Sequence, residues 1–215
     1  MRKAALLLVA VSALALCGPT PVKPDFGLKV GNSWTYSQKS PHGESTFKES
    51  ALRFVDVGES KALEIKAVYS GGHEGFRYLG QDENGLLSYF NSQMRGPGVA
   101  TDVKPLLLAR MPFNKGLTWK YINPWRGQTS GHVTDEDLRK LDVHESAVIV
   151  HEAEPVTVPA GTYNAVHVKV TSESEGRGRW FSDYWYVFGV GLVKSVIQTE
   201  DGTHERVLTE FVPGQ

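Results

Sequence analysis

The chain has 215 residues, with 23 basic and 24 acidic side chains and 40% hydrophobic residues. That near balance excludes the strongly basic surface on which nucleic-acid binding depends. A single cysteine in the whole chain excludes a disulfide framework or a cysteine metal cluster.

The first element is an export signal. Arg2 and Lys3 precede an apolar run from Ala4 to Leu16 that only Ser12 interrupts. A bilayer span needs about 20 residues, so the run reads as the apolar core of a signal peptide covering residues 1–16. The lone cysteine, Cys17, closes it. Leu14-Ala15-Leu16-Cys17 resembles a bacterial lipobox, in which the cysteine becomes a lipid-bearing N-terminus. Leu16 stands where that pattern has a small residue. Ordinary cleavage after Ala15 is the alternative, because Ala13-Leu14-Ala15 is an A-x-A site. With Cys17 as the lipid attachment site, acyl chains at about 0.8 kcal/mol per buried CH₂ hold the protein on a membrane. Residues 17–25 then form a short, proline-stiffened tether. The expected location is extracytoplasmic: an anchored lipoprotein on the periplasmic or cell-surface side, or otherwise a secreted or periplasmic protein.

Residues 26–212 read as one β domain. Short alternating segments broken by Gly, Pro, Asn and Asp dominate, as in an antiparallel all-β chain. Leu63, Ile65, Ala67 and Tyr69 alternate with Glu64 and Lys66, and Val166, Val168 and Val170 alternate with Ala165, His167, Lys169 and Thr171. Both patterns predict strands buried on one face. Asn84-Gly85 and Asp201-Gly202 predict hairpins. Thr134-Asp135-Glu136-Asp137 before Leu138 predicts a short helix, and a second is expected near Pro105 to Arg110. The architecture expected is mainly antiparallel: a single curved sheet, half-barrel or sandwich with one or two short helices.

The chain also echoes itself. Leu28 to Tyr36 and Phe113 to Tyr121 share the pattern apolar-x-x-G-x-[ST]-W-x-Y, which places Trp34 and Tyr36 against Trp119 and Tyr121. Two related halves, over 26–100 and 111–212, are therefore an added expectation.

Near the end, "RWFSDYWYVF" is apolar on both faces, with Tyr184 and Tyr186 on one and Trp185 on the other. Such a strand is covered on both sides. Gly189-Val190-Gly191 after it permits a sharp reversal. Tight packing accounts for every residue here. Buried Tyr and Trp still have polar tips that need partners, so Trp34, Tyr36, Trp119, Tyr121, Tyr184, Trp185 and Tyr186 are the candidate packing or ligand-binding aromatics.

Three motifs carry a family resemblance: Gly31, Trp34 and Tyr36 in G-x-x-W-x-Y; Val158 to Tyr163 in V-P-A-G-T-[FY]; and Trp185 to Lys194 in W-Y-x-x-G-V-G-L-V-K. The chain resembles a group of bacterial extracytoplasmic β proteins, many of them lipoproteins, whose function is unknown. The resemblance implies a secreted β fold and brings no catalytic residues with it.

Local signals for chemistry are weak. His-Glu occurs at His73, His144, His151 and His204, but adjacent residues on a strand face opposite ways. His144 and His151, seven apart, would fall on opposite faces too. There is no H-E-x-x-H, nucleophile elbow or P-loop, and no cofactor and no metal are expected. A metal site built across strands from His73, His144, His151, His167 or His204 is the alternative. Gly176-Arg177-Gly178-Arg179 reads as a hairpin tip before it reads as a phosphate cradle. The leading expectation is a non-enzymatic envelope module. It would be held to the membrane by a lipid anchor and bind an apolar ligand or an envelope protein, with no nucleic-acid partner. The alternative is an envelope hydrolase whose site is assembled from dispersed His and carboxylates.

Overall fold

The computed structural model describes residues 25–92, 105–123, 142–175 and 178–215. The leader, Cys17, the tether, the helix expected at Thr134 to Leu138 and the Gly176-Arg177 tip lie outside them.

Twelve strands form one sheet. They are β1 (Ser33–Ser40), β2 (Gly43–Val57), β3 (Ser60–Tyr69), β4 (Glu74–Asp82), β5 (Gly85–Ser92), β6 (Leu106–Arg110), β7 (Thr118–Asn123), β8 (Val143–Val158), β9 (Gly161–Ser174), β10 (Gly178–Val187), β11 (Gly191–Thr199) and β12 (Gly202–Val212). The order is β6-β5-β4-β3-β2-β1-β12-β11-β10-β9-β8-β7, antiparallel throughout. The first and last strands, β1 and β12, therefore pair at the centre of the sheet, while the sequential strands β6 and β7 are its edges. The sheet curls into a nearly closed barrel. At the seam the indole Nε1 of Trp119 donates to the carbonyl of Leu107 at 2.9 Å. The curl brings the two edge strands β6 and β7 beside each other instead of leaving them far apart, as in an open sheet.

No helix occurs among the described residues. The helix expected near Pro105 to Arg110 is instead β6. Three leucines and an alanine favour a helix locally, but the segment is short and pairs with β5, Leu87 opposite Leu107 and Leu86 opposite Ala109. Tertiary pairing overrides propensity at this length.

The glycine signals locate hairpins, with one refinement. In four of the five two-residue hairpins the glycine is the first residue of the returning strand rather than part of the loop: Ser40 pairs with Gly43, Asp82 with Gly85, Val158 with Gly161 and Thr199 with Gly202, while Gly58 lies in the loop between Val57 and Ser60. Gly85 shows why. Its φ is 141°, and a Cβ there would lie 1.8 Å from the carbonyl oxygen of Ala109. The Asp82 carboxylate completes that turn, accepting from Asn84 N at 2.7 Å and Gly85 N at 3.1 Å.

The two echoing stretches fold alike. Gly31 and Gly116 both have φ 86°. Gly31 N donates to Ala51 O at 2.9 Å and Ala51 N to Asn32 O at 2.9 Å; Gly116 N donates to Ile149 O at 2.8 Å and Ile149 N to Leu117 O at 3.0 Å.

A twelve-stranded barrel is wider than the eight-stranded kind that ordinary side chains fill. Large groups fill it here. Trp34, Tyr36, Phe47 and Tyr186 are buried inside, and the Arg206 guanidinium lies over the Phe47 ring at 4.8 Å. Arg77 on β4 reaches across β3, over Ala67, to the buried carboxylate of Glu49 on β2. A cavity of about 40 Å³ remains, lined by Phe26, Trp34, Arg77, Leu108, Tyr186 and Leu192. One strand departs from the expected one-sided burial. On β3 the polar-face residue Glu64 is buried, held by Arg53 at 2.7 Å and lying 3.4 Å from the Tyr78 hydroxyl. The outward residues Ala62, Phe76, Tyr78, Leu87 and Tyr89 form a second small core there.

Candidate functional site

The aromatic candidates separate by face. Inside, Trp34 Nε1 donates to Val190 O at 2.6 Å and the Tyr36 hydroxyl to Leu192 O at 2.8 Å. Burial raises the phenols of Tyr36, Tyr184 and Tyr186 well above the ordinary tyrosine range, so they remain neutral donors. Tyr121 is raised too, first by burial and then by the nearby Glu145. Glu145 accepts from Ser172 Oγ at 2.8 Å, and its carboxyl is pushed up by burial despite that bond and one from Tyr121. Trp119 closes the seam. Six of the seven aromatics thus stand among the barrel's own side chains, and the polar tips of Trp34, Tyr36, Trp119, Tyr121 and Tyr184 are taken up by protein partners. The reversal at 187–191 is seated on the N-terminal segment: Gly189 N donates to Asp25 O at 2.6 Å, and the Phe26 and Phe188 rings lie 5.6 Å apart.

Trp185 is the exception and faces outward. The second layer over its strand is the chain's own β8–β9 hairpin, which bends back across the sheet. Val156, Val158, Ala160, Tyr163 and Ala165 pack into one cluster with Trp185, Val187, Val207 and Leu208, and Ala160 N donates to Leu208 O at 3.2 Å.

Where the hairpin bends, polar groups converge. The register places His151, His167, Trp185 and Lys194 side by side across β8, β9, β10 and β11. The bend comes from two successive irregularities in β8, between Ile149 and His151 and between His151 and Glu154. Each adds one residue relative to β9, and an added residue re-aims the side chains after it. His151 and Glu154 would face opposite ways on a regular strand; here they share a face. The same shift corrects the expected placement of His144 and His151. His144 pairs with Glu173 and His151 with His167, and those two β9 residues lie on one face, so both histidines face outward.

His167 is the centre of this groove, with its side chain 12% exposed. Its Nε2 lies 2.8 Å from Asp183 Oδ1. Its Nδ1 lies 2.7 Å from Glu154 Oε2, but the contact is too far out of line to be a hydrogen bond, which leaves that nitrogen buried without a hydrogen-bond partner. The Trp185 ring stacks on the imidazole at 4.4 Å between centroids. The Trp185 Nε1 donates to Glu154 Oε2 at 3.3 Å. The His151 ring lies 6.0 Å from that of His167 on its other side. Lys194 sits 5.5 Å from the Trp185 ring and pairs with Glu205 at 2.8 Å. One ligand atom each from His151, Glu154 and His167 lie within 4.8 Å of one another.

The other histidine candidates do not join this group. His73 lies in a turn, His144 is exposed near the far end of β8, and His204 approaches Asp201 at 3.4 Å. Arg179 of the phosphate-cradle candidate pairs with Glu173 at 3.0 Å. Sequence periodicity could not find the groove, because it assumes an unbroken period of two through 149–154. The available signal was the run from His151 to Pro155, which interrupts the mainly apolar stretches Ala147–Val150 and Val156–Val158 of the same strand.

No protein-family model matches the chain, and no curated protein does. Two solved structures are similar in shape. One is a candidate lipoprotein from Parabacteroides distasonis, with 17% identity, a TM-score of 0.48, and coverage of 88% of this chain and 99% of that one. The other is a candidate exported protein with a YmcC-like fold from Bacteroides fragilis, with 12% identity, a TM-score of 0.49, and coverage of 88% and 97%. Likeness at this level carries no residue roles to this chain.

Proposed function

We propose that this chain is an exported envelope protein, anchored through a lipid on Cys17, whose barrel is a rigid, non-enzymatic binding or assembly module. The observation that carries the reading is the leader itself: a basic start, an apolar run too short to span a bilayer, and the chain's only cysteine at its end. The nine residues from Cys17 to Asp25 reach at most about 30 Å, which keeps the barrel close to the membrane.

Among the described residues, the narrowness of the interior cavity favours a protein partner over an apolar ligand. A cavity of about 40 Å³ has room for a few waters at most and none for an acyl chain. Binding is then an affair of the outer surface. The second reading, an envelope hydrolase, is favoured by one observation: Glu154, His167 and Asp183 converge in the outer groove.

Expression in a bacterial host with labelled fatty acid tests the anchor. The account expects label on the protein, recovery in the membrane fraction, and loss of both in Cys17→Ser. A soluble, unlabelled wild-type protein would overturn it.

A further inference from the structure

The groove contains an electrostatic conflict. Asp183 is positioned to accept the Nε2–H of a neutral His167 at 2.8 Å. That tautomer leaves a lone pair on Nδ1, which faces the lone pairs of the Glu154 carboxylate at 2.7 Å. Two acceptors this close repel unless a positive centre lies between them. A second proton on His167 would attract both carboxylates, but the Nδ1 contact lacks the alignment of a hydrogen bond to Glu154. Misalignment of this kind is what two donors produce when both are directed at a common third point. One ring nitrogen of His151 lies within 4.8 Å of a ligand atom of each of the other two.

We propose that His151, Glu154 and His167 bind one divalent transition-metal ion of the zinc type. Two imidazoles and one carboxylate suit such an ion; calcium and magnesium prefer all-oxygen cages. Three protein ligands leave a coordination position open, and exposed His151 places it toward solvent. The surroundings fit. Asp183 fixes the tautomer and ring orientation of His167, as outer carboxylates do for histidine ligands. Lys169 stands 3.9 Å behind Asp183 and Trp185 packs flat on the imidazole, so the ligand is held before any ion arrives. The two irregularities in β8 acquire a purpose: they carry His151 and Glu154 onto the face of His167. This site goes beyond the anchoring reading and does not depend on it, since an unlipidated chain would bind the ion equally well.

The test is a titration of the chelator-stripped protein, as processed by its host, with cobalt chloride, followed by zinc or magnesium chloride. The account expects one equivalent of cobalt, visible absorption of a four- or five-coordinate ion, displacement by zinc, and no displacement by magnesium. Trp185 fluorescence should change in step. His151→Ala and Glu154→Gln remove ligands that are not core residues, and each should weaken binding at least about tenfold; Asp183→Asn should weaken it about 10–100-fold. His144→Ala and His204→Ala should bind as wild type. The absence of 1:1 binding below about 100 µM, or binding that His151→Ala and Glu154→Gln leave unchanged, overturns the proposal.

Discussion

The barrel interior and the outer groove are built from similar parts, aromatic rings beside ionised groups, and they differ in what is left unmet. Inside, Arg77 meets Glu49, and the tips of Trp34 and Tyr36 end on carbonyls. These bonds hold the wall together, although Arg77 Nε and Arg206 Nε stay buried there without a hydrogen-bond partner. In the groove, His167 has one nitrogen committed to Asp183 and the other facing a carboxylate without a hydrogen bond. The enclosed interior pairs serve stability, while the groove sets its unmet imidazole nitrogen beside the exposed His151, at the outer surface.

The sharpest break of that contrast is inside. Arg77→Met leaves Glu49 buried without its partner and should cost about 3–5 kcal/mol, read from urea unfolding followed by tryptophan fluorescence. Replacing both partners, Arg77→Met with Glu49→Leu, should recover most of that loss, because a buried pair is worth little more than apolar packing. Next come the two indoles. Trp34→Phe and Trp119→Phe each leave a carbonyl without its donor, at about 1–3 kcal/mol. They differ in where the damage appears: hydrogen exchange should rise along β6 and β7 for Trp119→Phe and around 190–192 for Trp34→Phe.

A smaller effect depends on pH. Burial pushes the Glu145 carboxyl up, so the folded protein holds that proton more tightly than the unfolded chain. The group therefore favours folding most at low pH. It loses that contribution as pH rises from the ordinary glutamate value of about 4.3 through its raised folded value. The melting temperature of wild type relative to Glu145→Gln should fall as pH is raised across that window. The smallest effect belongs to the groove. Glu154→Gln should change the stability of the metal-free protein by less than about 1 kcal/mol, in keeping with a site that the fold does not need.

Much of the fold was legible in the sequence. The alternation of Val166, Val168 and Val170 gave β9, the glycine dipeptides marked the hairpins, and the two-faced aromatic strand implied a second layer. That layer proved to be the chain's own bent hairpin. Local periodicity misread β6, where pairing outweighs helix propensity, and Glu64, where Arg53 and a second core cover a polar face. It also missed the groove entirely. The first added residue in β8 reverses the facing at His151 and the second restores it by Glu154, and nothing in a period-two pattern announces where such additions fall.

The most direct measurement is native mass spectrometry of the mature protein purified gently from its own host, because it weighs the covalent anchor and every bound species together. The account predicts a chain beginning at lipid-modified Cys17 that carries one divalent metal ion and no apolar guest. A metal-free chain holding an acyl-sized non-covalent ligand would contradict it, because the cavity of about 40 Å³ among the described residues has no room for one.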